Sequence, residues 1–162
     1  MRVSILNLLL GITIIGLCIA LFVKRNREPI LVGDHFSHAF YRLSNEFLDH
    51  RTSWNLESTP PLGSSQIAEI CKTITDDLEA AHPGLDWRLG ATNLVSLDEK
   101  LDYWCYHVTF TGRHRDCEYS GPSIRFSALI LFDESVVVAR GETHGGRDWS
   151  SGLPQNKYIF VE

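Results

Sequence analysis

Three common marks of enzymatic chemistry are missing from this 162-residue chain. No G-x-S-x-G turn is present to raise a nucleophilic serine. No glycine loop follows a strand and opens a helix, as phosphate cradling requires. The four cysteines and seven histidines include no pair at the usual C-x2-C or H-x3–5-H zinc spacing. Basic charge is also scarce beyond the first turns. Residues 29–162 hold 11 Lys and Arg against 19 Asp and Glu, a net charge of −8. Such a surface is poorly suited to a nucleic-acid backbone, so nucleic acid is not an expected partner. The one basic cluster, Arg113-His114-Arg115, sits beside Asp116 and Glu118 and reads as a solvated loop.

One stretch lacks charge of either sign. Val3 to Val23 runs VSILNLLLGITIIGLCIALFV, 21 residues. At about 1.5 Å per residue a helix of this length covers roughly 30 Å, the thickness of a bilayer core. Lys24, Arg25 and Arg27 follow at once. The pattern predicts a single transmembrane helix, with the lipid bilayer as its partner. A cleaved signal peptide has a shorter apolar region, of about 7–15 residues. Here the Cys18-Ile19-Ala20 triplet lies too deep for cleavage, and Leu17 stands where a lipoprotein cysteine at position 18 would want a small residue. The Lys and Arg excess after the helix leans the following domain towards the cytoplasm, by a single charge once the amino terminus is counted. The extracytoplasmic orientation is the alternative.

The rest divides at Ser58–Ser65, a polar stretch broken by Pro60-Pro61. Before it, Phe36, Phe40, Leu43 and Phe47 recur at helical spacing after Asp34, a possible N-cap, which predicts a membrane-proximal helix over about 35–49. After it, with serine as the expected cap, Ile67, Ile70, Cys71, Ile74, Leu78 and Ala81 form one stripe that His82-Pro83-Gly84 ends. Strands follow. Trp87, Leu89 and Ala91 alternate over about 86–97, with Gly90 marking a bend or bulge. Trp104, Tyr106, Val108 and Phe110 alternate with Cys105, His107 and Thr109, and Ile124 to Phe132 alternates likewise. Asp133-Glu134-Ser135 turns into Val136–Ala139, and Lys157–Val161 offers a last edge strand. The domains are read as 1–28, anchor with basic flank; 29–63, helix and proline-containing linker; and 64–162, an α+β domain with an irregular tail. The fold class is α+β: an N-terminal transmembrane helix, then an antiparallel meander of about four strands packed on one amphipathic helix. Ile67, Ile70, Ile74 and Leu78 are expected to face Trp104, Tyr106, Val108 and Phe110.

No residue is assigned a catalytic or cofactor-binding role. Asp76, Asp77 and Glu79 read as solubilising charge on a helix, and His144-Gly145-Gly146 as a glycine-rich turn. His35, His38 and His50 read as surface histidines. The candidate metal donors are Cys105, His107, His114 and Cys117, a Cys/His set able in principle to complete a tetrahedral site. A Cys105–Cys117 disulfide is the competing use, because a hairpin symmetric about Thr111 would bring the two together in an oxidising compartment. The expected outcome is reduced thiols without metal.

The opening MRVSILNLLLGITIIGLCIALFVKR resembles the N-terminal anchors of small planctomycete-type bacterial membrane proteins. Trp54, Leu56, Pro60-Pro61-Leu62, the Ile67–Leu78 helix, Tyr103-Trp104 with Tyr106, and Leu131-Phe132-Asp133 resemble a small domain of such proteins. Its helix-then-meander order is similar to PepSY and cystatin-like modules. The resemblance covers about residues 54–141 and implies no catalytic residues; the loop 112–122 and the tail after Gly141 fall outside it. These readings point to a membrane-tethered, non-enzymatic domain that binds a protein, peptide or envelope component through a sheet face or edge. The alternatives are a metal- or thiol-dependent sensor and an enzyme assembled from scattered polar residues.

Overall fold

The computed structural model describes residues 10–19, 30–34, 39–49, 51–54, 56–98, 103–116, 123–141 and 147–161. Residues 10–19 form helix α1, with Leu10, Ile12, Ile14, Ile15, Leu17 and Ile19 exposed. Among the described residues no helix is long and apolar enough to cross a membrane. The remainder of the Val3–Val23 run lies outside them.

Among the described residues, seven strands and two more helices follow. A hairpin pairs β1 (Ile30–Asp34) with β2 (Ala39–Leu43), and the short helix α2 (Asn45–Leu48) comes next. Helix α3 (Ser64–Ala81) then precedes β3 (Leu85–Ser96), β4 (Trp104–His114), β5 (Ile124–Ile130), β6 (Val136–Ala139) and β7 (Tyr158–Val161). These five strands form one sheet in chain order, antiparallel except that β7 runs parallel to β6.

Alternation along each strand sorts the core into two layers. On one face Tyr106, Val108, Phe110, Phe126, Ala128, Ile130, Val136 and Val138 meet Ile67, Cys71, Ile74 and Leu78 of α3. On the other, Cys105, Leu129, Val137 and Ala139 meet Ala39, Tyr41, Leu43 and Leu48. Both faces are therefore covered, which is why all four residues of β6 are buried. The helix-on-sheet prediction holds for Ile67, Ile74 and Leu78. Ile70 is only partly buried, and Trp104 is half-buried and turns its ring edge to Trp54, 5.6 Å between centroids.

Several expectations are corrected. In place of one helix over about 35–49, residues 39–43 are a strand and, among the described residues of that range, only Asn45–Leu48 is helical; residues 35–38 lie outside the described residues. Ala39, Tyr41 and Leu43 are buried while Phe40 and Arg42 are exposed, a period of two. Covering the open sheet face favours that period: the Tyr41 hydroxyl lies 2.8 Å from Ser127 Oγ of β5, a contact that fixes the hairpin on the sheet. The helix-like spacing of the phenylalanines is coincidental, since Phe40 points to solvent. Ser44 rather than Asp34 caps the short helix, accepting from the Phe47 amide at 3.1 Å. Helix α3 starts after Gly63 and not at a capping serine; the Gln66 side chain returns to accept from the Gly63 amide at 3.0 Å.

The antiparallel meander of about four strands forms as β3 to β6, with β7 added at its edge, and a two-stranded layer lies behind the sheet. The last edge strand expected at Lys157–Val161 forms as β7. Trp149, Leu153 and Tyr158 are buried in the α3-side core, and the chain returns to lay β7 along β6. Other expectations are met. The β3–β4 register shifts between Leu89 and Ala91, at the bulge expected of Gly90. The Asp133–Ser135 turn closes with Leu131 N donating to Ser135 O at 2.8 Å and Glu134 at φ 68°.

Candidate binding site

The first two turns of helix α3 and strand β3 line a groove between them. Ser64, Ile67, Ala68 and Cys71 share one helix face by their i, i+3, i+4, i+7 spacing. They form one wall of a groove of about 410 Å³ whose other wall is Leu89 and Thr92 of β3 and whose floor is Tyr106. Small side chains at positions 64 and 68 keep the groove open. The Tyr106 hydroxyl donates to Leu62 O at 3.1 Å, which fixes the floor, and burial raises the phenol pKa. Burial raises the Cys71 thiol pKa and the neighbouring Thr92 side chain opposes that shift, so the thiol stays protonated at neutral pH. None of the lining side chains carries a charge.

Beside the groove runs the outer edge of the sheet. Strand β3 pairs with β4 on one side only, and its residues from Arg88 to Asn93 are exposed one after another. Leu89 is 46% exposed. From Leu89 to Leu97 the sequence contains no charge and no proline, the usual guards of an edge strand. The bulge at Gly90 is the one interruption. An edge of this kind offers backbone donors and acceptors to an added strand, and a groove alongside it takes alternate side chains.

The three candidate metal donors among the described residues, Cys105, His107 and His114, are not brought together. Cys105 and His107 lie near the start of β4 and His114 at its end. Cys105 and His114 are nine positions apart along the strand, about 30 Å, and odd and even positions face opposite ways. Cys117 lies outside the described residues. The hairpin symmetric about Thr111 that a Cys105–Cys117 disulfide needs does not form, because Thr111 sits within β4, paired with Arg88 and Arg125. Among the described residues no three His, Cys, Asp or Glu side chains are placed to hold a metal ion. Cys105 is fully buried, and desolvation pushes its thiol up to about 12. His35, His38, His50 and His144 lie outside the described residues.

Of the acidic residues on α3, Asp76 pairs with Lys72 on the exposed face and Glu79 stands 3.8 Å from Arg115, while Asp77 faces β7. The α3 stripe had already marked Ile67 and Cys71, but as core. What sequence reasoning missed was the gap beside them; the available signal was Ser64 and Ala68, small residues on the same helix face. Comparison of the chain with protein-family models finds no match, and the same holds for comparison with curated proteins and with solved structures.

Proposed function

We propose that this chain is a membrane-anchored, non-enzymatic binding domain that receives an extended, uncharged peptide segment along β3. The observation that carries the reading is the open β3 edge next to an apolar groove. With both sheet faces occupied, an edge rather than a face is the place for a partner. A strand added there gains main-chain hydrogen bonds, and every second side chain enters the space between Leu89, Thr92 and α3. The charge-free lining favours apolar side chains, because an unpaired charge in such a groove would be desolvated at a cost.

The anchor reading rests on the Val3–Val23 run and is supported by the exposed apolar side chains of α1. The Lys and Arg that follow favour a cytoplasmic position for the domain. The order of α3 and then β3 to β6 agrees with the helix-then-meander likeness noted in the sequence.

A library of ten-residue peptides, screened by fluorescence anisotropy against the full chain in detergent, tests the binding site. Peptides with alternating apolar residues are expected to bind. Ala68→Trp, which fills the groove from an exposed position, should weaken them at least tenfold, about 1.4 kcal/mol. Leu89→Arg should do the same, with both variants keeping the parent melting temperature. Binding that neither substitution disturbs, or an absence of any peptide that binds, would remove β3 as the site.

A further inference from the structure

The β1–β2 hairpin has two unlike faces. Ala39, Tyr41 and Leu43 are buried against the sheet, while Leu31, Gly33, Phe40 and Arg42 make up the open side. Leu31 is 66% exposed and Phe40 55%. The register sets Leu31 opposite Arg42 and Gly33 opposite Phe40, so the leucine and the phenylalanine are diagonal neighbours, within reach of one another as large side chains. The Phe40 ring lies across Gly33, where an added Cβ would stand 3.2 Å from Cε1. The face therefore presents one small apolar patch with a guanidinium beside it. That composition suits the interface of a bilayer, where apolar side chains enter the headgroup boundary and cations meet anionic lipid.

Chain length indicates the partner. Six residues, 24–29, separate the end of the Val3–Val23 run from Ile30, and three of them are Lys or Arg. Six extended residues reach at most about 20 Å, so an anchored chain holds the hairpin close to the membrane surface. The domain beyond residue 28 carries a net charge of −8 and is repelled as a whole by an anionic surface. A face offering Arg42 and two apolar side chains is the one such a surface accepts.

We infer that the outer face of the β1–β2 hairpin is a lipid-docking surface, with Leu31 and Phe40 entering the interface of an anionic bilayer and Arg42 meeting its headgroups. This rests on the anchor reading of Val3–Val23. The docking fixes the orientation of the domain on the membrane.

The test uses the full chain in nanodiscs of phosphatidylcholine with phosphatidylserine, and of phosphatidylcholine alone, each doped with a gadolinium-chelate headgroup lipid. Amide relaxation of Leu31, Phe40 and Arg42 in the anionic discs should be enhanced several-fold over that of Leu89 to Asn93. The double variant Leu31→Ser, Phe40→Ser changes only exposed side chains and should keep the spectrum of the core while losing the excess. Equal relaxation of the hairpin and β3, or an excess that survives the double substitution, overturns the docking surface and leaves the anchor standing. An excess of the same size in both lipid compositions overturns the part assigned to Arg42. Release of the chain from vesicles by alkaline carbonate overturns the anchor, and the docking surface with it.

Discussion

The hydroxyl of Tyr158 donates a 2.7 Å hydrogen bond to Oδ2 of Asp77, joining the last strand to the C-terminal part of α3 across 81 residues of sequence. Lys157 Nζ sits 2.9 Å from the other carboxylate oxygen. The Asp77 side chain is only 14% exposed, so this carboxylate is part of the packing between β7 and the helix. Lys157 is about half exposed and adds less, because solvent screens it. Tyr158→Phe should destabilise the domain by about 1.5–3 kcal/mol, the range for a hydrogen bond to a charged group. Asp77→Asn should act in the same direction, and the double variant should fall short of the sum. Urea denaturation of the four proteins checks this; additive losses would mean that the bond contributes nothing of its own.

Ile74 is 1% exposed at the centre of the α3-side core. Ile74→Ala removes methyl and methylene groups where the β4 and β5 side chains leave little room to collapse. A loss of about 2–5 kcal/mol is expected from chemical denaturation. Ile70→Ala, at a partly buried position of the same helix, should cost clearly less. Equal costs would mean that the helix is rotated from the position described.

Gly112 of β4 lies opposite Trp87 of β3, and a Cβ there would stand 3.1 Å from three carbons of the indole ring. The ring has little room to yield. Trp149 and Phe126 pack against it with centroids at 6.0 and 6.4 Å, and His82 lies 6.4 Å away on a third side. Gly112→Ala should therefore destabilise the domain by about 1–3 kcal/mol, as overpacking does, and should shift the near-ultraviolet circular dichroism of the tryptophans. A neutral effect with an unchanged spectrum would contradict the tight stacking.

Cys105 gives the domain an alkaline limit. Its folded-state pKa is raised from 9.0 to about 12 by desolvation, so the native thiol keeps its proton where the unfolded one has lost it. The contribution is complete below pH 9 and is lost as the pH climbs from 9 towards 12. Over that interval the unfolded state binds fewer protons, and stability falls by about 1.4 kcal/mol per pH unit. Tyr158, raised by burial and then by its bond to Asp77 and that residue's charge, adds to the fall above about pH 10. Cys105→Ala should flatten the slope of stability between pH 9 and 10 when urea midpoints are compared. In the folded protein Cys71 and Cys105 should both react slowly with iodoacetamide. An unchanged slope would mean that the thiol is more hydrated than its position implies.

The sequence alone determined the elements whose periodicity is imposed by a single neighbour. The α3 stripe at Ile67, Cys71, Ile74 and Leu78, the alternation of β4 and β5, the bulge at Gly90 and the Asp133–Ser135 turn were all readable, because local geometry and one apolar face set them. Tertiary structure decided what a second neighbour imposes. Residues 39–43 became a strand because the back of the sheet needed a cover, and Tyr41 could reach Ser127 only from that register. Asp77, in the sequence one more charge on an exposed helix face, became a largely covered acceptor because β7 returned beside it. The candidate site is of this second kind. Ile67 and Cys71 were legible as apolar, but the groove exists only once α3 is packed beside Leu89, Thr92 and Tyr106, with small side chains at Ser64 and Ala68. Cys105 and His114, two of the candidate ligands, are held apart for the same reason: β4 runs straight through Thr111, and a strand sets side chains nine positions apart about 30 Å from each other.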